Sequence, residues 1–246
     1  MLFWNTLTLF FFDSALANEL HIAVAANFIT PMKVIAADFT TSTGHKAILS
    51  FGSTGKFYSQ IKNGAPFELL LAADAATPAK LEQEGLAIPG SRITYAIGKL
   101  LLWSQQSGFV DDKGEVLRSG NFAHLALAAP KLSPYGMAAQ ETLSALNLFA
   151  ALQPKFVQGE NIAQTFQFVT SGNAELGFIA LSQVYEGGAL NNGSGWIVPA
   201  NLYKPLYQDG VILLRGQNNP ASSAFLGFLQ SEKIRAVIQQ FGYELK

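Results

Sequence analysis

Strand-like and helix-like segments alternate along this chain of 246 residues, which predicts an α/β fold of mixed, mostly parallel sheets flanked by helices. Short apolar runs recur, each followed by a small polar turn and then by apolar residues at helical spacing. No repeat of fixed period and no low-complexity linker divides the chain. Two extended stretches, around residues 95–98 and 203–209, read as crossings between two lobes. Neither is rich in Gly and Ser, which favours a two-lobed hinge protein over two domains on a flexible tether.

The elements follow in order. Residues 20–25 (LHIAVA) form a short apolar strand ending at Ala26-Asn27. Met32, Ile35, Ala36 and Phe39 mark one face of a helix that Thr43-Gly44 stops. Residues 47–50 are the next strand. Ser53 is placed as the N-cap of a short helix through Ile61, which Gly64-Ala65-Pro66 ends. Residues 69–72 read as a buried strand, followed by a helix from Thr77 with Pro78 at its first position and Gly85 as its cap. The apolar stretch 93–103 (ITYAIGKLLLW) is too long for an average strand and is expected to pass between two sheets. A polar turn (107–114) precedes a strand at 125–128, and a helix opens near Pro134-Tyr135-Gly136. A strand at Phe156-Val157 leads to a helix opening at Asn161-Ile162. Strands are expected at 176–180, 196–198 and 211–214, and two final helices split near Gln230-Ser231.

Composition narrows the possible roles. Charged residues are 13% of the chain, against about a quarter in an ordinary domain. The 16 bases and 17 acids nearly cancel, so the chain lacks the basic field that nucleic acid or an acidic membrane surface demands. Cysteine is absent, which excludes disulfides and thiolate sites. The first seventeen residues (MLFWNTLTLFFFDSALA) combine an apolar stretch too short to span a bilayer with Ala15-Leu16-Ala17, an A-x-A cleavage pattern. They read as a secretory signal peptide, with Asn18 as the first mature residue. Removing them takes away Asp13 and no base, which leaves a formally neutral mature chain.

Enzyme constellations do not form. His21, His45 and His124 are scattered without metal-ligand spacing and read as surface or strand-edge residues. The segment GSTGK at 52–56 fails as a phosphate loop, because Ser50 stands where the first Gly is needed and Phe57 follows Lys56. Asp74 follows a strand but has no partner acid or base, so a turn or helix-start role fits it. What recurs is four strand-to-helix turns carrying small polar or backbone-accessible residues: Asn27, Ser53-Thr54, Tyr135-Gly136 and Asn161-Ile162. Helix N-termini present unpaired N–H groups and partial positive charge. Converging on one crevice, they make an anion site without Lys or Arg. Taken one at a time, each reads as simple capping, and the sequence does not show that the four converge.

Six segments in order resemble the periplasmic molybdate- or tungstate-binding proteins of ABC transporters: 25–28 (AANF), 50–55 (SFGSTG), 63–66 (NGAP) with 72–74 (AAD), 134–138 (PYGMA), 160–163 (ENIA) and 174–178 (AELGF). The resemblance runs from about Leu20 to the C-terminus. It implies a two-lobed type II periplasmic binding protein fold with the ligand cleft between the lobes. Lobe 1 would be 18–96 plus 208–246, and lobe 2 would be 97–207. It implies a monomeric, non-enzymatic periplasmic protein without a cofactor. Such a protein holds one small oxyanion, delivers it to a membrane permease and binds no nucleic acid.

Carried over by position, Asn27 and Ser53 would donate from lobe 1, and the backbone N–H groups of Tyr135 and Ile162 from lobe 2, with Thr54 assisting. Ile162 could act only through its N–H. Two positions depart from the family. Many members carry a tyrosine where this chain has Ala180, and another branch carries a threonine where it has Ala26. One hydroxyl donor is missing by either pattern, and Asn27, with two amide donors, or a water is left to fill its place. The alternatives are a binder of sulfate, phosphate or a small carboxylate, and an enzyme on a similar frame. Arg92, Arg118, Arg215 and Arg235 lie outside the four turns, which argues against a clamped carboxylate.

Overall fold

A computed structural model describes residues 17–246; the expected export segment lies outside the described residues except for Ala17. The chain opens with β1 (Glu19–Ala25), which passes through a 3₁₀ turn into α1 (Ile29–Thr43). Then come β2 (Lys46–Gly52), α2 (Thr54–Lys62), β3 (Leu69–Leu71), α3 (Ala76–Gln83) and β4 (Ile93–Gly98). A second unit follows with β5 (Leu100–Ser104), α4 (Val116–Ser119), β6 (Leu125–Ala128), α5 (Pro134–Ala145), α6 (Phe149–Leu152), β7 (Phe156–Gly159), α7 (Ile162–Thr170) and β8 (Leu176–Ala180). A small hairpin of β9 (Tyr185–Glu186) and β10 (Ala189–Leu190) leads to β11 (Ser194–Ile197). The chain returns through β12 (Leu206–Ile212) and ends with α8 (Pro220–Leu229) and α9 (Glu232–Gln240).

Two five-stranded sheets result, with orders β2-β1-β3-β12-β4 and β11-β5-β8-β6-β7. In the first, β1 pairs in parallel with β2 and β3, while β12 runs antiparallel to β3 and β4. In the second, β6 pairs in parallel with β7 and β8, and β5 runs antiparallel to β8 and β11. Parallel strands buried on both faces read as continuous apolar runs, as β3 (LLL) and β6 (LALA) do. Each sheet carries its own apolar core. Leu20, Ile22, Phe28, Phe39 and Phe225 belong to the first, and Leu102, Leu127, Phe178 and Leu143 to the second.

The long apolar stretch at 93–103 divides as expected, with β4 in one sheet, β5 in the other and Lys99 between them. Among the boundaries that differ from the sequence reading, two have a cause in particular polar residues. The third helix starts at Ala76, so Pro78 is its third residue rather than its first. Asp74 draws the start back by accepting the N–H of Thr77 at 2.6 Å. The last strand runs from Leu206 to Ile212 rather than over 211–214. Its polar residues Gln208 and Asp209 hid it from a hydrophobicity reading, and pairing with β4 recruits them. A bulge falls there: Gln208 faces Ala96 and Asp209 faces Thr94, so Tyr95 is the extra residue. The short helices α4 and α6 and the β9–β10 hairpin carry too little periodicity to be read in advance.

Candidate functional site

At the carboxyl ends of β1, β2, β6 and β7 the chain turns into helices, and these turns meet around one small, half-open cavity. One wall comes from the first sheet's half: Ala25, Ala26 and Asn27 where β1 meets α1, and Gly52, Ser53 and Thr54 where β2 meets α2. The other comes from the second: Ser133 and Pro134 at the start of α5, and Asn161 and Ile162 at the start of α7. Among the described residues, none that lines it carries a charge. Four helix N-termini therefore supply the positive end of the field, with peptide dipoles in place of ammonium or guanidinium groups.

The polar groups here divide into those already satisfied and those left over. Asn161 is a working cap: its Oδ1 accepts the N–H groups of Ala163 and Gln164, both at 3.0 Å. That leaves the N–H of Ile162, first residue of α7, outside the helix's own bonding. Ser53 also stands at an N-cap, in extended backbone, but its hydroxyl caps nothing. The side chain is buried, and among the described residues Oγ has no hydrogen-bond partner. A buried orphan hydroxyl costs free energy unless something polar meets it, so the capping explanation fails for Ser53. Thr54 is committed inward, its Oγ1 accepting the N–H of Ala73 at 3.0 Å.

Asn27 is buried, and its amide is spent on the protein. Nδ2 donates to Oε1 of Gln208 at 2.8 Å and to the hydroxyl of Tyr243 at 2.9 Å. With both amide hydrogens engaged, Asn27 has none in reserve to stand in for a missing hydroxyl; its N–H, in the first turn of the 3₁₀ segment, is the donor that helix geometry leaves over. Tyr135 is the second residue of α5, so its N–H is another such donor. Its ring points the other way, with the hydroxyl accepting from Nε2 of Gln208 at 3.1 Å. Ala26 lines the cavity; Ala180, whose N–H donates to Oε1 of Gln183 at 2.9 Å, is not among the lining residues.

Ser133 escaped the sequence reading. It is the buried N-cap of α5, it lines the cavity, and its hydroxyl makes no cap hydrogen bond. The only signal was a serine before Pro134, which looks like ordinary capping. The buried tyrosines Tyr95, Tyr135 and Tyr243 behind the cavity all have their ionisation pushed upward by burial, so they stay neutral donors and acceptors.

The halves touch around the cavity. The N–H of Gly55 donates to the carbonyl of Leu132 at 3.0 Å, and Lys56 pairs with Glu160 at the rim. A Cβ on Gly55 would stand 3.0 Å from that carbonyl oxygen, so glycine allows the approach. A larger groove, about 1080 Å³ of non-atom space, opens beside the cavity and is lined by Asp74, Met137, Glu141 and Tyr207 among others. Its lining mixes the carboxylates of Asp74 and Glu141 with the ammonium groups of Lys131 and Lys204, and the Asp74 carboxyl is pushed toward the neutral form by burial, against the hydrogen bonds from Thr77. Among the described residues no group of three or more His, Cys, Asp or Glu comes together for a metal. None of their helices is long and apolar enough to cross a membrane.

Known proteins share this architecture. A family model described as bacterial extracellular solute-binding protein matches residues 20–244. The molybdate-binding protein ModA of Azotobacter vinelandii is 56% identical over 233 residues, covering 95% of this chain and 92% of its own. ModA of Rhodobacter capsulatus is 48% identical, with 93% and 89% covered. The solved structure of an Azotobacter vinelandii periplasmic molybdate-binding protein superposes with a TM-score of 0.90 at 38% identity, over 92% of this chain and 99% of that one. Matched across nearly its whole length by both family model and relatives, the chain belongs to the family of bacterial extracellular solute-binding proteins.

Proposed function

We propose that this protein captures molybdate or tungstate outside the cytoplasm for an ABC importer, and that it is a carrier rather than a catalyst. The observation that carries the reading is the buried Ser53 hydroxyl, which has no partner among the described residues and lies in an uncharged cavity where four helix N-termini meet. The identity to two molybdate-binding relatives supports the choice of anion. The two sheets, each with its helices, act as the two lobes, with residues 97–98 and 206–207 going with the first rather than with the second as the expected division at 18–96 plus 208–246 and 97–207 has it. Ser53 donates through its hydroxyl and Asn27 through its backbone from lobe 1. From lobe 2, the N–H groups of Tyr135 and Ile162 donate, with the Ser133 hydroxyl beside them. Thr54 braces the Ser53 turn. The dianion bridges both lobes and stabilises the closed form by its higher affinity for it. The closed form then docks on the permease as a monomer, in the periplasm, after the leader is removed.

Selectivity among doubly charged tetrahedra follows from cavity size, because fixed dipoles on helix ends cannot adjust as lysine side chains do. Calorimetric titration with molybdate, tungstate, sulfate and phosphate tests this. Tight binding of the first two is expected. Tight binding of sulfate or phosphate, with none of molybdate or tungstate, would overturn it.

A further inference from the structure

The strand that returns the chain from one half to the other carries a buried polar residue with no place in the cavity lining. Gln208 on β12 is fully buried. Its Oε1 accepts from Nδ2 of Asn27 at 2.8 Å and lies 3.1 Å from the hydroxyl of Tyr95, and its Nε2 donates to the hydroxyl of Tyr135 at 3.1 Å. Asn27 and Tyr95 belong to the first sheet's half, and Tyr135 opens α5 in the second. One amide therefore ties Asn27, which lines the cavity, and Tyr135, the neighbour of the lining residue Pro134, to a strand that crosses between the halves.

The surroundings are shaped for this contact. The β-bulge opposite Gln208 and Asp209 makes Tyr95 the unpaired residue, and its hydroxyl also lies 3.0 Å from the carbonyl of Ala72. Gly98, at the end of the other crossing strand, has no left-handed φ to explain it. A Cβ there would collide with both the Tyr135 hydroxyl and Nε2 of Gln208, so glycine is needed for the approach. On the far side of Asn27, its carbonyl accepts from Oγ of Ser182, in the second half, and from the hydroxyl of Tyr243, both at 2.9 Å.

We propose that Gln208 is an interlobe latch: a positioning residue whose amide holds Asn27 and Tyr135 in the closed arrangement, so that oxyanion affinity depends on a side chain that does not line the site. The oxyanion part of this rests on the function proposed above; the latch itself rests on the contacts. Opening the halves pulls Tyr135 away from Gln208, leaving buried amide and phenol groups to find other partners, and closing restores the bond. The latch thus acts mainly on how long the closed form lasts.

The chain has no cysteine, so Gln60→Cys in α2 and Thr170→Cys in α7, both at exposed positions on opposite halves, can carry a fluorophore pair. Energy transfer then reports closure, and stopped-flow reports molybdate dissociation. Gln208→Leu and Tyr135→Phe are the test variants; the second keeps the backbone N–H. Tyr135→Phe is expected to weaken molybdate binding about 3- to 10-fold through faster dissociation, as losing one neutral hydrogen bond implies, and Gln208→Leu by at least as much, since it also leaves the Asn27 amide without its Gln208 acceptor. The double variant should be little worse than Gln208→Leu alone, since Tyr135→Phe then removes a bond already lost. Unchanged affinity and dissociation overturn the latch. So do losses that multiply in the double variant, and a lowered melting temperature with no change in dissociation, which is what a purely structural role gives. If the parent chain binds no molybdate, the oxyanion reading fails, and the closed population without ligand decides the latch: a decrease on Gln208→Leu supports it, and no change overturns it.

Discussion

Three polar residues stand at N-caps around the cavity, and only one of them caps. Asn161 accepts two backbone N–H groups, while Ser53 and Ser133 make no cap hydrogen bond. The sequence shows the same small polar residue before a helix in each case, because local chain geometry is alike whether the hydroxyl turns to its own helix or to a ligand. The distinction has a measurable consequence. Replacing a working cap typically costs about 0.5–2 kcal/mol of stability. Ser53→Ala should cost none and could raise the melting temperature slightly, since it removes a buried orphan hydroxyl. Molybdate affinity should fall about 10- to 150-fold with the loss of one hydrogen bond to a charged ligand. Thermal melts beside titrations check this; lost stability with unchanged affinity would restore Ser53 to an ordinary cap. Adding Asn27→Ala should abolish binding, because it also removes the amide that Gln208 and Tyr243 hold.

Most elements were legible because apolar spacing follows directly from which face each buries. The helix through Met32, Ile35 and Phe39 is found as α1, ended by Gly44 in the left-handed conformation. Elements that escaped either are very short or, like β12, contain polar residues that only a tertiary neighbour satisfies. The start of α7 offers a test of backbone donation. Ile162 is its first residue, where proline is tolerated, and Asn161 before it is extended, as a residue preceding proline prefers. Ile162→Pro removes one N–H and leaves the Asn161 cap bonds to Ala163 and Gln164 in place. The variant should fold, with molybdate affinity reduced about 10-fold or more. Far-ultraviolet dichroism and titration together check it; native affinity would show that this N–H is not a donor.

For the whole molecule, scarcity of charge sets the expected response to conditions. The cavity lining has no ionisable side chain, and the tyrosines behind it are driven by burial further above the neutral range. A phenol with a raised folded value stabilises the fold fully below its unfolded value, near about 10, and loses that contribution as pH rises toward the folded one. Molybdate affinity should therefore be flat from about pH 6 to 9, and stability should decline only on the alkaline side. Dependence on salt should be shallow, because the donors are fixed dipoles rather than exposed cations. Titrations across this range check both; a steep fall between about pH 6 and 8 would point to a titrating ligand group that the cavity lining does not contain.

By itself the sequence determined the α/β class, the order of most strands and helices, and the four strand-to-helix turns that carry small polar residues. These depend on local spacing and on backbone propensities that act over a few residues. Only the tertiary structure decided that the turns share one cavity, that the Ser53 hydroxyl has no partner among the described residues while Asn161 caps, that the Asn27 amide is spent, and that Gln208 joins the two halves. Those outcomes rest on contacts between residues far apart in the chain, such as Asn27 with Gln208 and Tyr135 with Gln208. No local pattern encodes which of several chemically possible partners a buried polar group will meet.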